Sequence, residues 1–553
     1  GNYTLEELEV SAGLVGFTGS TANGLLHVKA QSLCLTRFLI PDADMAISGT
    51  MNEVDVDIGM LEDTDAKTGK TISTYSIGAH KPTEEEQAEQ GEGKQRAERN
   101  APMAKDIQLS LSGIEHPENQ VMSVNLSSLG GQFRMIGDNR YEIEGLNIGK
   151  ITITGLDWEA GKFGLHADEP VELTDVRLDS IIEFEQKPGD KPGDPPKTEM
   201  TENSKIKAAS IQSFKTAGLV LRFTDYYVDL GSTVIGKEGE PGGSLVQAAG
   251  LELTDYSFFD NTWTALSIND LQGKDMSLKL GKEVTARAQS ISGGNITIAA
   301  MVTDQARKRR HKEGKIAYAN KYSIKTNDVS GSKLEIQSKA KDSGLNLSIT
   351  SINDLDIGEF SVDNETGDMA FRDVSLDDIT LASMNWNATE VDKKTGNLST
   401  SGVKLQNAKL SIIRASGSVK GDTTRVDVLD IALVEGDQIV YSGNETAAEP
   451  KAGEQMSSGS VTTLNKVVLK NLKVRGLKIE KGELVGLDLS ADAASGKVGS
   501  ISGSKVFGNT LSNYLEAGST FNAKGIEYDV VTDKEGNTTS TAGLDRLSLT
   551  NIA

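Results

Sequence analysis

Cysteine, proline, aromatic residues and long apolar runs are all scarce in this sequence. Cys34 is the only cysteine, so the chain has no intrachain disulfide and no cysteine-based metal site. The 553 residues include 11 prolines, and aromatic residues make up 5%. No stretch approaches the roughly 18 consecutive apolar residues of a membrane-spanning helix. These absences exclude a disulfide-stapled extracellular module and a helical membrane protein.

Motifs of enzymes and metalloproteins are also missing. The sequence has no HExxH, CxxC, GxSxG or GxxxxGK[ST], and no GxGxxG after a predicted strand. The five histidines occur singly, and we interpret each as a loop or surface residue; they are His27, His80, His116, His166 and His311. We therefore predict a non-enzymatic protein with no catalytic residue, no cofactor and no metal ligand.

A row of carboxylates is found in the stretch MNEVDVDIGM. On an extended chain Glu53, Asp55 and Asp57 share one face, and Val54 and Val56 share the other. Such a row could bind calcium, but neither an EF-hand spacing nor a GGxGxD repeat is present. We interpret it as a solvated strand face.

Charge is strongly negative, because 57 basic residues face 80 acidic ones, which gives −23. Such a surface repels nucleic acid and anionic membranes, so neither is expected as a partner. The charge is typical of a soluble body with a large surface.

The pattern that organises the chain is a pair of large apolar residues, two apart, that recurs every five residues. It is clearest in MAFRDVSLDDITLASMNW, which begins at Met369. Residues two apart point to the same face of a strand, but a shift of five residues reverses the face. A β-bulge or a corner must therefore reset the face once per pentad, at polar dipeptides such as Asp377-Asp378.

Similar runs begin at Tyr141 and Val467, which identifies the pattern as an internal repeat. We predict that its apolar residues line one face, either as a core or as a lipid-facing surface. The candidate lining residues are Ile143, Ile148, Ile153, Trp158, Phe371, Leu376, Leu381, Trp386, Leu469, Val474 and Ile479.

The pattern predicts an all-β fold: an elongated, repetitive array of mainly antiparallel, bulged strands that is a folded-over sheet or resembles a β-solenoid. Residues 1–553 are expected to form one continuous array, a segment of a longer protein. Four stretches break the pattern: a polar insertion at 62–105, a Pro/Gly loop at 185–206, a basic loop at 303–316 and a polar loop at 443–457. We expect them to be exposed and removable, since an array tolerates insertions between strands.

Turn signals determine the predicted strand direction. Asp, Asn and Gly at 363–367, 392–397 and 533–537 are typical of hairpins between adjacent antiparallel strands. A parallel β-helix needs no hairpins. The four-sided helix of pentapeptide-repeat proteins also needs a small residue where this chain has Met369, Val374, Ile379 and Met384.

The stretches VVLKNLKVRGLKIEKGELVGLDL and LDWEAGKFGLHADEPVELTDVRLDSIIEF resemble the repetitive β regions of AsmA/TamB-type bridge-like lipid-transfer proteins. That resemblance implies long, twisted antiparallel strands that form a groove with an apolar lining. Similar segments also resemble large repetitive β proteins encoded beside bacterial contractile injection systems.

Two functions follow from these patterns. The first is a scaffold or interaction region of a large bacterial protein, which spaces, displays or packages other parts of the same polypeptide or of a complex. The alternative is a carrier that binds lipid acyl chains in an apolar groove. As for location, we favour a protein of the bacterial envelope, a secreted protein or a particle-associated protein over a cytoplasmic one. A closed apolar face favours the scaffold, and an open groove favours the carrier.

Overall fold

The fold is described from a computed structural model of the chain. It describes all residues except 1–3, 11–15, 21–24, 41–44, 65–70, 81–101, 114–119, 161–162, 188–196, 225, 237–248, 282, 313–315, 341–342, 392–397, 447–456, 503–504, 507–508, 511–514, 533–536 and 553. Statements below concern the described residues.

Strands dominate the described chain. The first fifteen are β1 (Thr4–Val10), β2 (Gly16–Ser20), β3 (Leu25–Ile40), β4 (Met45–Thr64), β5 (Thr71–Ala79), β6 (Ala104–Gly113), β7 (Gln120–Ile136), β8 (Arg140–Thr154), β9 (Asp157–Ala160), β10 (Phe163–His166), β11 (Val171–Lys187), β12 (Lys197–Met200), β13 (Lys205–Ala217), β14 (Val220–Phe223) and β15 (Tyr226–Asp229). The others are β16 (Ser232–Ile235), β17 (Leu251–Ser257), β18 (Trp263–Leu280), β19 (Val284–Met301), β20 (Lys321–Ala340), β21 (Ser343–Asp363), β22 (Met369–Val391), β23 (Leu398–Lys420), β24 (Thr423–Thr446), β25 (Ser457–Glu480), β26 (Glu483–Ser502), β27 (Lys505–Val506), β28 (Asn509–Thr510), β29 (Leu515–Thr532) and β30 (Thr538–Ile552).

The predicted fold class is confirmed: the described chain is an all-β array of consecutive antiparallel strands. At all three predicted hairpin positions, of which residues 392–397 and 533–536 lie outside the described residues, the flanking strands pair antiparallel: β21 with β22, β22 with β23 and β29 with β30. In the first of them the backbone N–H of Gly367 donates to the carbonyl of Asp363 over 2.8 Å. This antiparallel topology is the one that the turn residues predicted.

The chain divides into two compact units, and the prediction of one continuous array stays a prediction. The first comprises residues 1–224, 229–271 and 297–322, and the second 225–228, 272–296 and 323–553. In the first unit an antiparallel ladder runs from β3 through β4, β6, β7, β8 and β11 to β13. Its core includes a cluster of Ala30, Val54, Val56 and Ile107.

The second unit contains a ladder of long neighbouring strands. It runs through β21, β22, β23, β24, β25, β26, β29 and β30, each antiparallel to the one before. Ile349, Leu381 and Ala408, on three adjacent strands, form a buried cluster. Each strand in this ladder pairs with its sequence neighbour among the long strands, as a repeat array requires.

The face reset that the pentads demand occurs at residues in the left-handed backbone conformation. In β25 these are Lys466, Asn471 and Gly476, with φ of 52°, 50° and 56°, and each directly precedes an apolar pair. None of the three has a partner in the β24–β25 register. In β22, Asp373 has the same left-handed conformation directly before the pair Val374/Leu376. The register between β22 and β23 shifts between successive pairs there. A left-handed residue interrupts the ladder and returns the next pair to the same face.

Three of the four predicted insertions contain strand residues of the array. Within 62–105, β5 pairs with β4 on one side and with β7 on the other, and it continues the position that β6 occupies along those strands. Its residues alternate in type, but the polar sequence around them hid the pattern. Within 185–206, Lys187 at the end of β11 pairs with Lys197 at the start of β12, and residues 188–196 between them lie outside the described residues. Residues 84–99, the centre of the first insertion, lie outside the described residues.

The basic stretch at 303–316 was predicted to be a loop, but it forms a helix, α1 (Asp304–Lys312). Asn320 supports its start, because its side-chain oxygen accepts from the backbone N–H of Thr303 over 2.9 Å. No described helix has the length and apolar content needed to cross a membrane. In the fourth stretch, β24 extends to Thr446 and β25 begins at Ser457, and residues 447–456 lie outside the description.

Candidate functional site

The eleven predicted lining residues lie on β8, β9, β22 and β25. Leu376, Leu381 and Val474 are buried, and the other eight are half-buried. Leu381 belongs to the cluster with Ile349 and Ala408. Ile143 instead lies in an open apolar groove in the first unit. The pentad pattern therefore marks residues of two environments, which the sequence did not distinguish.

The groove is built from two rows of apolar side chains that run across neighbouring strands. In the longer row Leu26, Ile58, Ile77, Phe133 and Ile143 are direct cross-strand partners from β3 to β8. The second row, two residues further along each strand, is Met60, Tyr75, Met135 and Tyr141. Because residues two apart share a face, both rows line one surface.

This surface lines an open cavity of about 810 Å³. That lies within the range of about 300–1,000 Å³ found for small-molecule sites. Five of its large apolar side chains remain 39–51% exposed to solvent: Ile58, Met60, Tyr75, Ile77 and Tyr141. An exposed apolar patch with a concave shape is typical of a binding site.

The groove continues the core face of β4. Val54 and Val56 are buried in the core, and Ile58 and Met60 follow them on the same face at the same spacing. Phe133 packs against that core and also lines the groove. Polar groups are held at the margin, where Arg134 pairs with Glu144 over 2.9 Å. The apolar face thus changes from closed core to open groove along one strand.

The opposite face of β4 carries a cluster of two histidines and two aspartates, which we call the His–Asp cluster. It consists of His27 on β3, Asp55 and Asp57 on β4, and His80 directly after β5. Nε2 of His27 lies 2.6 Å from Oδ1 of Asp55, and Nδ1 of His80 lies 2.8 Å from Oδ1 of Asp57. The two imidazole rings stack across β4, with centroids 3.7 Å apart and planes 7° from parallel.

Asp55 has a second cationic partner. Nζ of Lys29 lies 3.0 Å from Oδ2 of Asp55. Burial raises the pKa of Asp55, but the hydrogen bonds from His27 and Lys29 outweigh it and hold the pKa below its ordinary value. The carboxylate is therefore ionised at neutral pH and acts as an acceptor.

Sequence reasoning missed this cluster. His27 and His80 are not isolated surface residues, since both are half-buried and their rings touch. They are 53 positions apart, and the β5 strand that brings His80 beside Asp55 was not predicted. The alternation that placed Asp55 and Asp57 on one face was the available signal, but it did not identify their partners.

Two further groups of titratable residues are simpler. His166 lies 3.4 Å from Asp157 and 3.2 Å from Asp168, and chiefly the hydrogen bond to Asp168 raises its pKa. On β20–β22, desolvation and then neighbouring carboxylates raise the pKa of Asp354. His166 is exposed at the end of β10, whereas Asp354 is half-buried on β21 at a residue with a left-handed backbone conformation. His116 and the side chain of His311 lie outside the description.

Comparisons with known proteins place this chain in no family. No protein-family profile matches it, and no curated protein is similar to it. A chain in the solved structure "Crystal Structure of TcdB2-TccC3-Cdc42" aligns with 89% of this chain at 7% identity and a TM-score of 0.09. The alignment covers 36% of that other chain. A TM-score this low carries no argument about fold or function.

Proposed function

We propose that this chain is a non-enzymatic β scaffold, a structural and interaction region of a larger, bacterial protein. The observation that supports this function is the ladder from β21 to β30, in which each long strand pairs with the next. Such a ladder adds about 4.7–4.9 Å for every strand. It therefore sets distances between the parts attached to it without needing a ligand.

A scaffold should be folded and stable without any bound small molecule. We expect organic extracts of the purified chain to contain far less than one lipid per chain by mass spectrometry. We also expect the thermal midpoint to be the same before and after solvent extraction and refolding in lipid-free buffer. Stoichiometric copurified lipid, with a lower midpoint after its removal, contradicts a purely structural role.

The open groove favours a second function, the binding of an acyl chain. Its two rows of apolar side chains lie on one concave surface, and several of them face solvent. Covering each exposed apolar square ångström yields about 25 cal/mol, so a hydrocarbon chain along the rows is a favourable occupant. The groove margin is charged, which suits an amphiphile with a polar head.

Replacement of Ile77 by lysine should abolish such binding. Ile77 lies on the central strand of the groove and is 39% exposed, so the variant should fold. We expect the affinity for a fluorescent fatty acid to fall by about tenfold or more, since a charge in the apolar row costs at least 1.4 kcal/mol.

Ile413→Lys is the matched control, because Ile413 is an isoleucine 61% exposed on β23. It should leave binding unchanged. Equal loss in both variants, or no saturable binding by the unaltered chain, excludes the groove as an acyl-chain site. The scaffold proposal does not depend on this result.

A further inference from the structure

We propose that the His–Asp cluster is a binding site for a divalent transition-metal ion of the zinc type, with His27, Asp55 and His80 as ligands. One potential ligand atom from each of these three residues lies within 4.8 Å of the other two. Imidazole nitrogen and carboxylate oxygen are the ligands that zinc takes in proteins, besides thiolate. Three protein ligands leave a fourth position for water.

The present spacing is close to that of a metal site but not identical to it. Zinc binds nitrogen and carboxylate oxygen at about 2.0–2.2 Å, so tetrahedral ligand atoms lie about 3.3–3.5 Å apart. His27 and Asp55 must separate slightly from their 2.6 Å contact. Nε2 of His27 must also give up the proton that it donates to Asp55, which leaves to solvent or moves to Nδ1, because zinc binds a ring nitrogen through its lone pair. Parallel stacked rings do not direct their lone pairs at one point, so metal binding must turn the rings out of the stack.

Asp57 and Lys29 provide the outer contacts that metal ligands require. In the hydrogen bond between Nδ1 of His80 and Oδ1 of Asp57 the carboxylate accepts and Nδ1–H donates, so a ring in this tautomer carries its lone pair on Nε2. A carboxylate on the far nitrogen of a metal-bound histidine fixes the ring and raises its basicity. Lys29 holds the second oxygen of Asp55 at 3.0 Å and so orients that carboxylate.

Charge and access are also suitable. The two carboxylates of Asp55 and Asp57 outnumber the one lysine, Lys29, that contacts them, which favours a cation. The side chains of His27, Asp55, Asp57 and His80 are 18–27% exposed, so an ion can reach them while most of the surrounding surface is protein. Two backbone hydrogen bonds fix the chain at the cluster. The N–H of His80 donates to the carbonyl of Asp55, and the N–H of Asp55 donates to the carbonyl of Met103.

The test is a zinc titration of the whole chain, prepared without a histidine tag and treated with chelator. Calorimetry should show one tightly bound zinc ion per chain, and the thermal midpoint should rise with zinc concentration. His27→Gln and His80→Gln should each weaken binding by about 100-fold or more, and Asp57→Asn by about 10–100-fold. His166→Gln is the matched control, since His166 also lies between two aspartates, and it should bind like the unaltered chain.

X-ray absorption at the zinc edge keeps the test independent of how the variants fold. With one equivalent of zinc on the unaltered chain, we expect two imidazole nitrogens and at least one oxygen in the first shell. A first shell without imidazole overturns the proposal. So does the absence of saturable binding, and so does a loss of binding in His166→Gln with none in His27→Gln and His80→Gln.

Discussion

Leu381→Ala should lower the stability of the second unit by about 2–5 kcal/mol, the usual cost of removing a buried leucine side chain. Leu381 is 8% exposed on β22 and packs between Ile349 on β21 and Ala408 on β23. Because Ala408 has a small side chain, it cannot fill the cavity that the loss of Leu381 leaves. The strands are held by backbone hydrogen bonds on both sides, so they can close the gap only partly.

Hydrogen exchange is the measurement that suits this variant, because it reports stability strand by strand. Protection should fall in β21, β22 and β23, and much less in β29 and β30, since each strand contacts only its neighbours. Ile413→Ala is the control: this isoleucine is 61% exposed on β23, and its loss should change stability by no more than about 0.5 kcal/mol. A uniform loss of protection along the second unit after Leu381→Ala contradicts local, neighbour-to-neighbour stability.

The architecture could be predicted because it depends on local periodicity. Pairs two apart require strands, a repeat of five requires a reset, and Asp/Asn/Gly turns require antiparallel neighbours. The structure adds the physical form of the reset, a left-handed residue such as Asp373 or Asn471. Aspartate and asparagine adopt that conformation more readily than other non-glycine residues, and they recur directly before the pairs. The polar residues between the apolar pairs therefore shape the backbone in addition to making the surface soluble.

The candidate sites could not be predicted, because both depend on the pairing of β5 with β4 and β7. The groove needs Tyr75 and Ile77 between Met60 and Met135, and this arrangement exists only once β5 joins β4 and β7. The same strand carries His80 to Asp57. Residues 71–79 had been assigned to a polar insertion, so one missed strand concealed both sites. A single amino-acid sequence contains no pattern that gives the register between strands such as β5 and β7, which are far apart along the chain.

Gly476→Val should destabilise β25 by about 1–3 kcal/mol, the cost of holding a non-glycine residue in a strained conformation. Gly476 has φ of 56°, and a Cβ built on it meets no atom within 4 Å, so a clash of Cβ cannot account for the effect. Gly476→Ala should cost about 1–2 kcal/mol and Gly476→Asn less, because asparagine tolerates the left-handed region. The order Asn, Ala, Val is the signature of a backbone effect.

Gly436→Ala provides the control on the neighbouring strand β24. Gly436 has no left-handed φ, and an added Cβ would lie 3.6 Å from Ile439 and 3.8 Å from Ala408, which is ordinary contact. This substitution should be neutral or should stabilise by about 0.4–1 kcal/mol, since it restricts the unfolded chain. Hydrogen exchange in β24–β26 measures both positions. Equal changes in stability for Gly436→Ala and Gly476→Ala would mean that the left-handed residue does not reset the strand face. If Gly476→Ala destabilises and Gly436→Ala stabilises, the five-residue period depends on the left-handed conformation at Gly476.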